Sequence, residues 1–316
     1  MRKRTILLAA LVAALFAAVA LVQGRQRAAR AAAAESERPA AGAPDAAEGP
    51  RIVALDPGLA ETLCMLGLGG RLVARTAFTD FPASVTNLPV VADAKGLDLD
   101  ALAAARPDFT ILPEPMLSAD LHRILEERRL SHFSVRNATL SDFYQCAYEL
   151  AVRFGAEETA RLWLETMDEI TGEASRRVAA AVTRAGGRAP SVLLVLGRPA
   201  SSPDRILAAG RQSFHQGLLD ALALPNACPG EVQYSELSPD EAAALRPDIL
   251  VEIRTGGGDD GVIAALTDWA ARADIPAVRT GDVHVLSDAW ALRAGPRIDL
   301  LLSALADYAA QWAEKQ

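Results

Sequence analysis

Two ten-residue stretches lie 140 positions apart and read almost alike: Asp100-Ala-Leu-Ala-Ala-Ala-Arg-Pro-Asp-Phe109 and Asp240-Glu-Ala-Ala-Ala-Leu-Arg-Pro-Asp-Ile249. The apolar strands that open at Arg51 and Ser191 keep the same offset. In each copy a short helix is halted at Pro107 or Pro247, because proline lacks an amide donor and disfavours helix at the residue before it. The chain then runs straight into an apolar strand. The second copy has a clear start: Ser238 caps, Pro239 takes the first helical position and Glu241 completes a capping box. Asp98 caps the first copy, so Asp100 and Asp240 share one place in the first helical turn, where a carboxylate suits the helix dipole. A chain carrying this duplication is constrained to fold as two halves built to one plan.

Around the repeat, apolar runs alternate with helical stretches, as a parallel α/β architecture requires. Strands are expected at residues 52–55, 72–74, 90–91, 109–112 and 133–135, then at 192–196, 206–207, 249–253 and 283–286. Residues 141–184 contain no proline and no strand pattern. Leu150, Phe154, Leu162, Met167 and Ile170 fit helical faces, with Gly155 marking a break. The stretch 157–184 predicts one helix of about 28 residues, roughly 40 Å long, enough to join two lobes as a strut. The expected fold is α/β, two Rossmann-like lobes with parallel sheets joined by one long backbone helix. Its parts are an N-terminal lobe at 51–140, a connecting helical region at 141–188 and a C-terminal lobe at 189–316.

Ahead of these lobes, Arg2-Lys3-Arg4 precede an uncharged apolar stretch, Thr5 to Val22. Basic residues followed by such a run make residues 1–22 a signal peptide or an N-terminal membrane anchor. At about 18 residues the run just suffices to span a bilayer. Small residues downstream permit cleavage, and both fates stay open. Residues 23–50 contain no Leu, Ile, Val, Phe, Tyr or Trp, so they cannot bury a core and read as a flexible Ala/Pro/Arg linker. Cys64, Cys146 and Cys228 lie far apart without CxxC spacing, so no zinc or iron–sulfur centre is expected. Any one pair is open to bridging in an exported protein. The formal net charge of −8 opposes phosphate backbones and argues against nucleic acid as a partner. The chain has no GxSxG, no GxGxxG after a strand and no P-loop, so neither an enzyme nor a cofactor is expected. Gly256-Gly-Gly-Asp-Asp-Gly261 lacks the Lys or Ser/Thr of a phosphate cradle and reads as a flexible loop.

Several motifs in order resemble the helical-backbone (class III) substrate-binding proteins of ABC transporters, nearest the vitamin B12- and iron-siderophore-binding members. Arg51-Ile-Val-Ala-Leu-Asp-Pro-Gly-Leu-Ala-Glu61 is similar to the family's opening strand and Ser-Pro-x-x-Thr-Glu turn, with Asp56 and Ala60 as departures. Thr79-Asp-Phe-Pro82, Leu99 to Asp108, Ala209-Gly-Arg-Gln-Ser-Phe214 and Gly295-Pro-Arg-Ile298 resemble further family segments. The resemblance implies capture of a metal chelate, a ferric siderophore or haem, between the lobes. It also implies delivery to an ABC permease and its ATPase by a periplasmic, exported protein, which residues 5–22 would anchor to the inner membrane if uncleaved. A monomer is expected. By the same resemblance Asp100 and Asp240, with Glu241 beside the second, stand where the family docks to permease arginines. Two alternatives stay open: a cobalamin binder of the same fold, and a membrane-anchored sensor or scaffold using it.

Ligands of open parallel sheets sit outside the carboxyl ends of the strands. The residues expected there are Arg75, Phe78, Lys95, Glu114, Arg198, Tyr234, Arg254, Trp290 and Arg293. Five of them are basic and suit a bulky anion, while ring faces suit flat groups. Ala94 and Pro113 fall where the B12 binder has Trp, a departure that disfavours cobalamin. A bare metal ion is not expected, because His122, His132, His215 and His284 are scattered along the sequence. His122 and His132 read as solvated, while His215, just after a helix cap at Ser213, is a candidate to face the cleft.

Overall fold

The computed structural model describes residues 48–198, 204–255 and 257–316. The expected signal or anchor segment and the linker up to residue 47 lie outside the described residues. Among the described residues no helix is long and apolar enough to cross a membrane. These residues form two compact units. One holds the chain up to Asp168 together with Arg293–Ile298, the other Glu169–Leu292 with Asp299–Gln316.

In the N-terminal unit, β1 (Ile52–Ala54), β2 (Leu72–Thr76), β3 (Val90–Asp93), β4 (Gly96–Leu97), β5 (Phe109–Pro113) and β6 (His132–Val135) form one sheet in the order β4-β3-β2-β1-β5-β6. Side chains alternate along the central strand. Ile52 and Ala54 pack with Leu59 and Leu63 of α1 (Pro57–Met65) and with Leu150 and Phe154 of α4 (Leu140–Phe154). Val53 and Leu55 pack on the other face with Leu102 of α2 (Leu99–Ala105) and Leu125 of α3 (Ala119–Glu127). Both faces are covered, which is why the strands read as continuous apolar runs.

After α5 (Glu157–Arg184), the C-terminal unit orders its sheet β11-β10-β7-β8-β9, from β7 (Val192–Gly197), β8 (Ile206–Ala209), β9 (Tyr234–Leu237), β10 (Ile249–Ile253) and β11 (Val283–Leu286). Its helices are α6 (Phe214–Ala221), α7 (Pro239–Ala244), α8 (Gly258–Ala270), α9 (Pro276–Thr280) and α10 (Ile298–Ala313). The centres of both sheets are parallel, as expected, but the edges are not: β3 with β4, β7 with β8 and β8 with β9 pair antiparallel. Connection length explains the first two. Only Ala94-Lys95 separate β3 from β4, and about eight residues separate β7 from β8, too few for the crossover that a parallel neighbour needs.

Helix α5 is unbroken over its 28 residues. Ala160, Met167, Ala174 and Ala181, spaced by sevens, are buried with Val178, a narrow apolar seam along an otherwise charged helix. Leu162, expected on the apolar face, is exposed instead. Arg161 bridges Glu158 and Glu165 on the solvent side.

The sequence repeat has an atomic counterpart. In the first copy the Asp108 carboxylate accepts the Arg51 amide hydrogen at 2.7 Å, and the Asp108 and Phe109 amides donate back to the Arg51 carbonyl. In the second, Asp248 accepts from the Ser191 amide at 2.9 Å, and the Asp248 and Ile249 amides donate to the Ser191 carbonyl. The strand registers match too, Ile52 opposite Phe109 and Val192 opposite Ile249. Arg106 and Arg246 leave their helices in the left-handed region, at φ 48° and 51°. Asp248 additionally accepts from the Ser191 hydroxyl and from both terminal nitrogens of Arg188. Asp248→Ala should therefore cost about 2–3 kcal/mol in urea unfolding and Asp108→Ala about 1 kcal/mol. Equal losses would mean that the extra partners of Asp248 contribute nothing.

Candidate functional site

The carboxyl ends of β2, β3 and β5 carry the expected residues of the N-terminal unit. Arg75, near the end of β2, turns its guanidinium back to donate to the Thr76 and Thr79 carbonyls at 3.0 and 3.3 Å. Phe78, just beyond, is 53% exposed. Lys95 sits in the β3–β4 hairpin, where its amide donates to the Asp93 side chain. No carboxylate among the described residues pairs with Arg75 or Lys95, so both positive charges are uncompensated. Glu114 opens a 3₁₀ turn after β5 and lines a cavity of about 200 Å³ with Ser134, Arg136, Asp142, Gln145 and Glu149. That volume is below what a drug-sized ligand needs.

Arg293 is not a free cation. It donates to Glu61 at 2.9 Å, to Asp80 at 2.6 Å and to the Phe78 carbonyl at 2.9 Å. Arg297 completes the cluster with two bonds to the Glu61 carboxylate, at 2.9 and 2.7 Å, and lays its guanidinium over the Phe81 ring at 4.3 Å. Glu61 is buried, and a buried carboxylate persists only when paired and hydrogen-bonded. Burial works against ionisation of Asp80, but hydrogen bonds and charge from Arg293, with charge from Arg297, hold it below the usual carboxylate range. At Asp56, the cap of α1, burial prevails over the Leu59 and Gly58 amides and raises the carboxyl.

In the C-terminal unit, Arg198 after β7 and Arg254 after β10 are brought together around two acids. Glu252, buried inside β10, accepts from the Trp269 indole at 2.5 Å and from Arg254 at 2.9 Å. Arg198 stands 3.5 Å from Glu252, and both arginines stand 3.4 Å from Asp268. Two cations and two carboxylates leave no net charge there. The sequence signal for Glu252 was a lone acid in the apolar run Ile249-Leu-Val-Glu-Ile253.

Other expected positions shift. Trp290 lies on a 3₁₀ turn, Ala289–Leu292, after β11 and is half-buried. Tyr234 opens β9 rather than following a strand, and its register opposite Ala209 sets it level with the middle of β7. It is exposed on the edge strand, not at a carboxyl strand end. His215 is buried against Phe214, with Nε2 3.0 Å from the Ala291 carbonyl oxygen, so it faces no opening. The glycine run expected as a loop becomes helical at Gly258, where α8 begins; Gly256 lies outside the described residues. His122 and His132, which sequence position kept apart, meet at 2.8 Å.

The expected docking residues occupy equivalent first-turn positions of α2 and α7. Asp100 pairs with Arg128 and Asp240 with Arg272, yet their side chains are 88% and 94% exposed. Glu241 is engaged locally in the capping box with Ser238.

Two α/β units repeating one plan, with a single long helix between them in sequence and polar clusters at parallel strand ends, define a helical-backbone solute-binding protein. The chain belongs to the periplasmic binding protein family, whose sequence pattern matches residues 52–289. It is 24% identical over 266 residues to a vitamin B12-binding protein of Pectobacterium carotovorum, covering 80% of this chain and 85% of that protein. Among solved structures, a periplasmic haem-binding protein from Pseudomonas aeruginosa superposes with TM-score 0.70 at 25% identity, over 81% of this chain and 91% of that one. A periplasmic vitamin B12-binding protein of Vibrio cholerae gives TM-score 0.68 at 19% identity, over 84% and 98%.

Burial pushes the His215 imidazole down to about 4, despite the Ala291 carbonyl, so the folded protein keeps it neutral. The unfolded chain takes up that proton near pH 6.5, so this group's contribution to stability is complete above pH 6.5 and is lost as pH falls towards 4. The loss should reach about 3 kcal/mol in urea unfolding. His215→Gln should flatten the slope between pH 6.5 and 4; an unchanged slope would clear His215 of this role.

Proposed function

We propose that this protein is the solute-binding component of an ABC importer and carries a metal chelate, a ferric siderophore or haem, to a permease energised by its ATPase. The observation that carries this reading is a set of residues at the carboxyl ends of β2 and β3: the exposed ring of Phe78, three residues beyond Arg75, and the unpaired charges of Arg75 and Lys95. A ring face receives the flat part of a chelate while cations receive its carboxylates. The haem-binding neighbour of the same fold supports the ligand class. Arg293, Arg198 and Arg254 are left out of the anion site because Glu61, Asp80, Glu252 and Asp268 already balance them. Glu114, on the turn after β5 of the same sheet, remains a candidate for its margin.

Cobalamin is the second reading, favoured by the vitamin B12 binders among the relatives and by the small positive charge left once these arginines are balanced. Titration of tryptophan fluorescence with haem, ferric siderophores and cobalamin separates the two. An anionic chelate should quench the tryptophan fluorescence with micromolar or tighter affinity, and Arg75→Ala and Lys95→Ala should each weaken it about tenfold. Saturable quenching by cobalamin alone would overturn the anionic-chelate reading.

Asp100 and Asp240 are proposed as the permease contacts, supported by their matched places in the repeat and their exposure. Charges at such a rim steer and orient docking more than they add affinity. In a reconstituted transporter, Asp100→Arg combined with Asp240→Arg should abolish uptake and leave ligand affinity within twofold. Unchanged uptake would remove both residues from the docking surface, and a sensor or scaffold role predicts no uptake from the unaltered chain either.

A further inference from the structure

The meeting of His122 and His132 has no part in the chelate site. His132 is the first residue of β6, paired opposite Thr110 at the start of β5, so it lies at the end of the sheet away from Glu114. His122 and Glu126 sit four apart on α3 and therefore share a face. The three side chains offer ligand atoms that all lie within 4.8 Å of one another.

The hydrogen bonding fixes which nitrogens are available. His132 Nδ1 stands 2.9 Å from the Leu130 carbonyl oxygen. A carbonyl only accepts, so Nδ1 carries the ring hydrogen and Nε2 keeps its lone pair. That lone pair points at His122 Nδ1, 2.8 Å away. An imidazole whose second nitrogen donates to a backbone carbonyl is held as metal-ligating histidines are held. The His132 side chain is only 3% exposed, which locks the ring, while Glu126 stays two-thirds exposed and leaves the site open to solvent. Arg123, the neighbouring cation, is occupied by Asp120 and Glu127 rather than Glu126.

We propose that His122 Nδ1 and His132 Nε2, joined by a carboxylate oxygen of the exposed Glu126 that turns in from its place 3.9 Å from His132 Nδ1, form a solvent-accessible site for one divalent transition-metal ion. Two imidazoles and a carboxylate suit nickel, copper or zinc rather than magnesium or calcium. Two nitrogens about 2.1 Å from one ion stand about 3.4 Å apart in a tetrahedron and about 3 Å apart at a right angle. The observed 2.8 Å is nearer the right angle, which favours tetragonal or octahedral coordination and nickel as the probe. Binding needs no net proton loss: the His122 hydrogen moves from Nδ1 to Nε2, and the metal takes the place of the hydrogen bond.

The test is calorimetric titration of the purified full-length chain, free of any affinity tag, with NiCl₂. The unaltered protein should bind one Ni²⁺ with Kd of about 10 µM or tighter. His122→Ala should weaken binding at least thirtyfold, and Glu126→Gln several-fold. Because His132 is buried and its replacement risks the fold, the decisive variant is the exposed His122. Its thermal unfolding should match that of the unaltered protein without metal, and it should lose the rise in Tm that Ni²⁺ gives the unaltered chain. No binding below 1 mM, or undiminished binding by His122→Ala, would show the pair to be only a hydrogen bond between two imidazoles.

Discussion

The N-terminal unit is organised around one carboxylate that cannot be left alone. Glu61 lies in the first turns of α1, out of reach of water, and its charge is tolerable only because Arg297 grips both oxygens and Arg293 adds a third bond. Removing one partner of such a buried pair typically costs about 3–5 kcal/mol. The same arginines draw in Asp80 and the Phe81 ring. Three sequence motifs that looked like separate punctuation, the Asp56–Glu61 turn, Thr79–Pro82 and Gly295–Ile298, are thus one ionic cluster. Its demand for two cations explains why a six-residue stretch near the end of the chain is built into the first unit.

Charge pairing also sets what the unit ends can offer a ligand. Counting basic residues at strand ends suggested five cations, but three of them spend their charge on acids of the same unit. What remains is on Arg75 and Lys95, at the ends of the strands that also lead to the exposed Phe78 ring. The compensated pairs are not idle, because Glu252 and Asp268 fix the Arg198 and Arg254 side chains at the ends of β7 and β10. Specific recognition needs such pre-organised walls as much as it needs free charge.

The parts of this architecture that were legible in the sequence are those encoded locally. Proline stops and helix caps announced the repeat, continuous apolar runs the central strands, and a proline-free stretch with apolar residues on helical faces the 28-residue helix. Strand direction was not legible at the edges, since apolar content does not distinguish β8 running antiparallel from a parallel neighbour; connection length held that information. Tyr234 was misplaced for the same reason. Glu252 and Arg293 were visible as residues, but their partners Trp269 and Glu61 lie 17 and 232 positions away, and no local pattern reports such pairings. His122 and His132 show the limit from the other side: two residues dismissed for their spacing converge because a turn folds α3 back beside β6.

The placement of Arg293 and Arg297 has a consequence for biosynthesis. Each Asp latch of the repeat closes over a separation of 57 residues, so the central strand pair of either half can zip soon after it emerges. Glu61 must wait for arginines made 232 and 236 residues later. The half of the molecule that leaves the ribosome first is therefore the last to be finished, because burying Glu61 before Arg293 and Arg297 are made would leave a carboxylate unpaired.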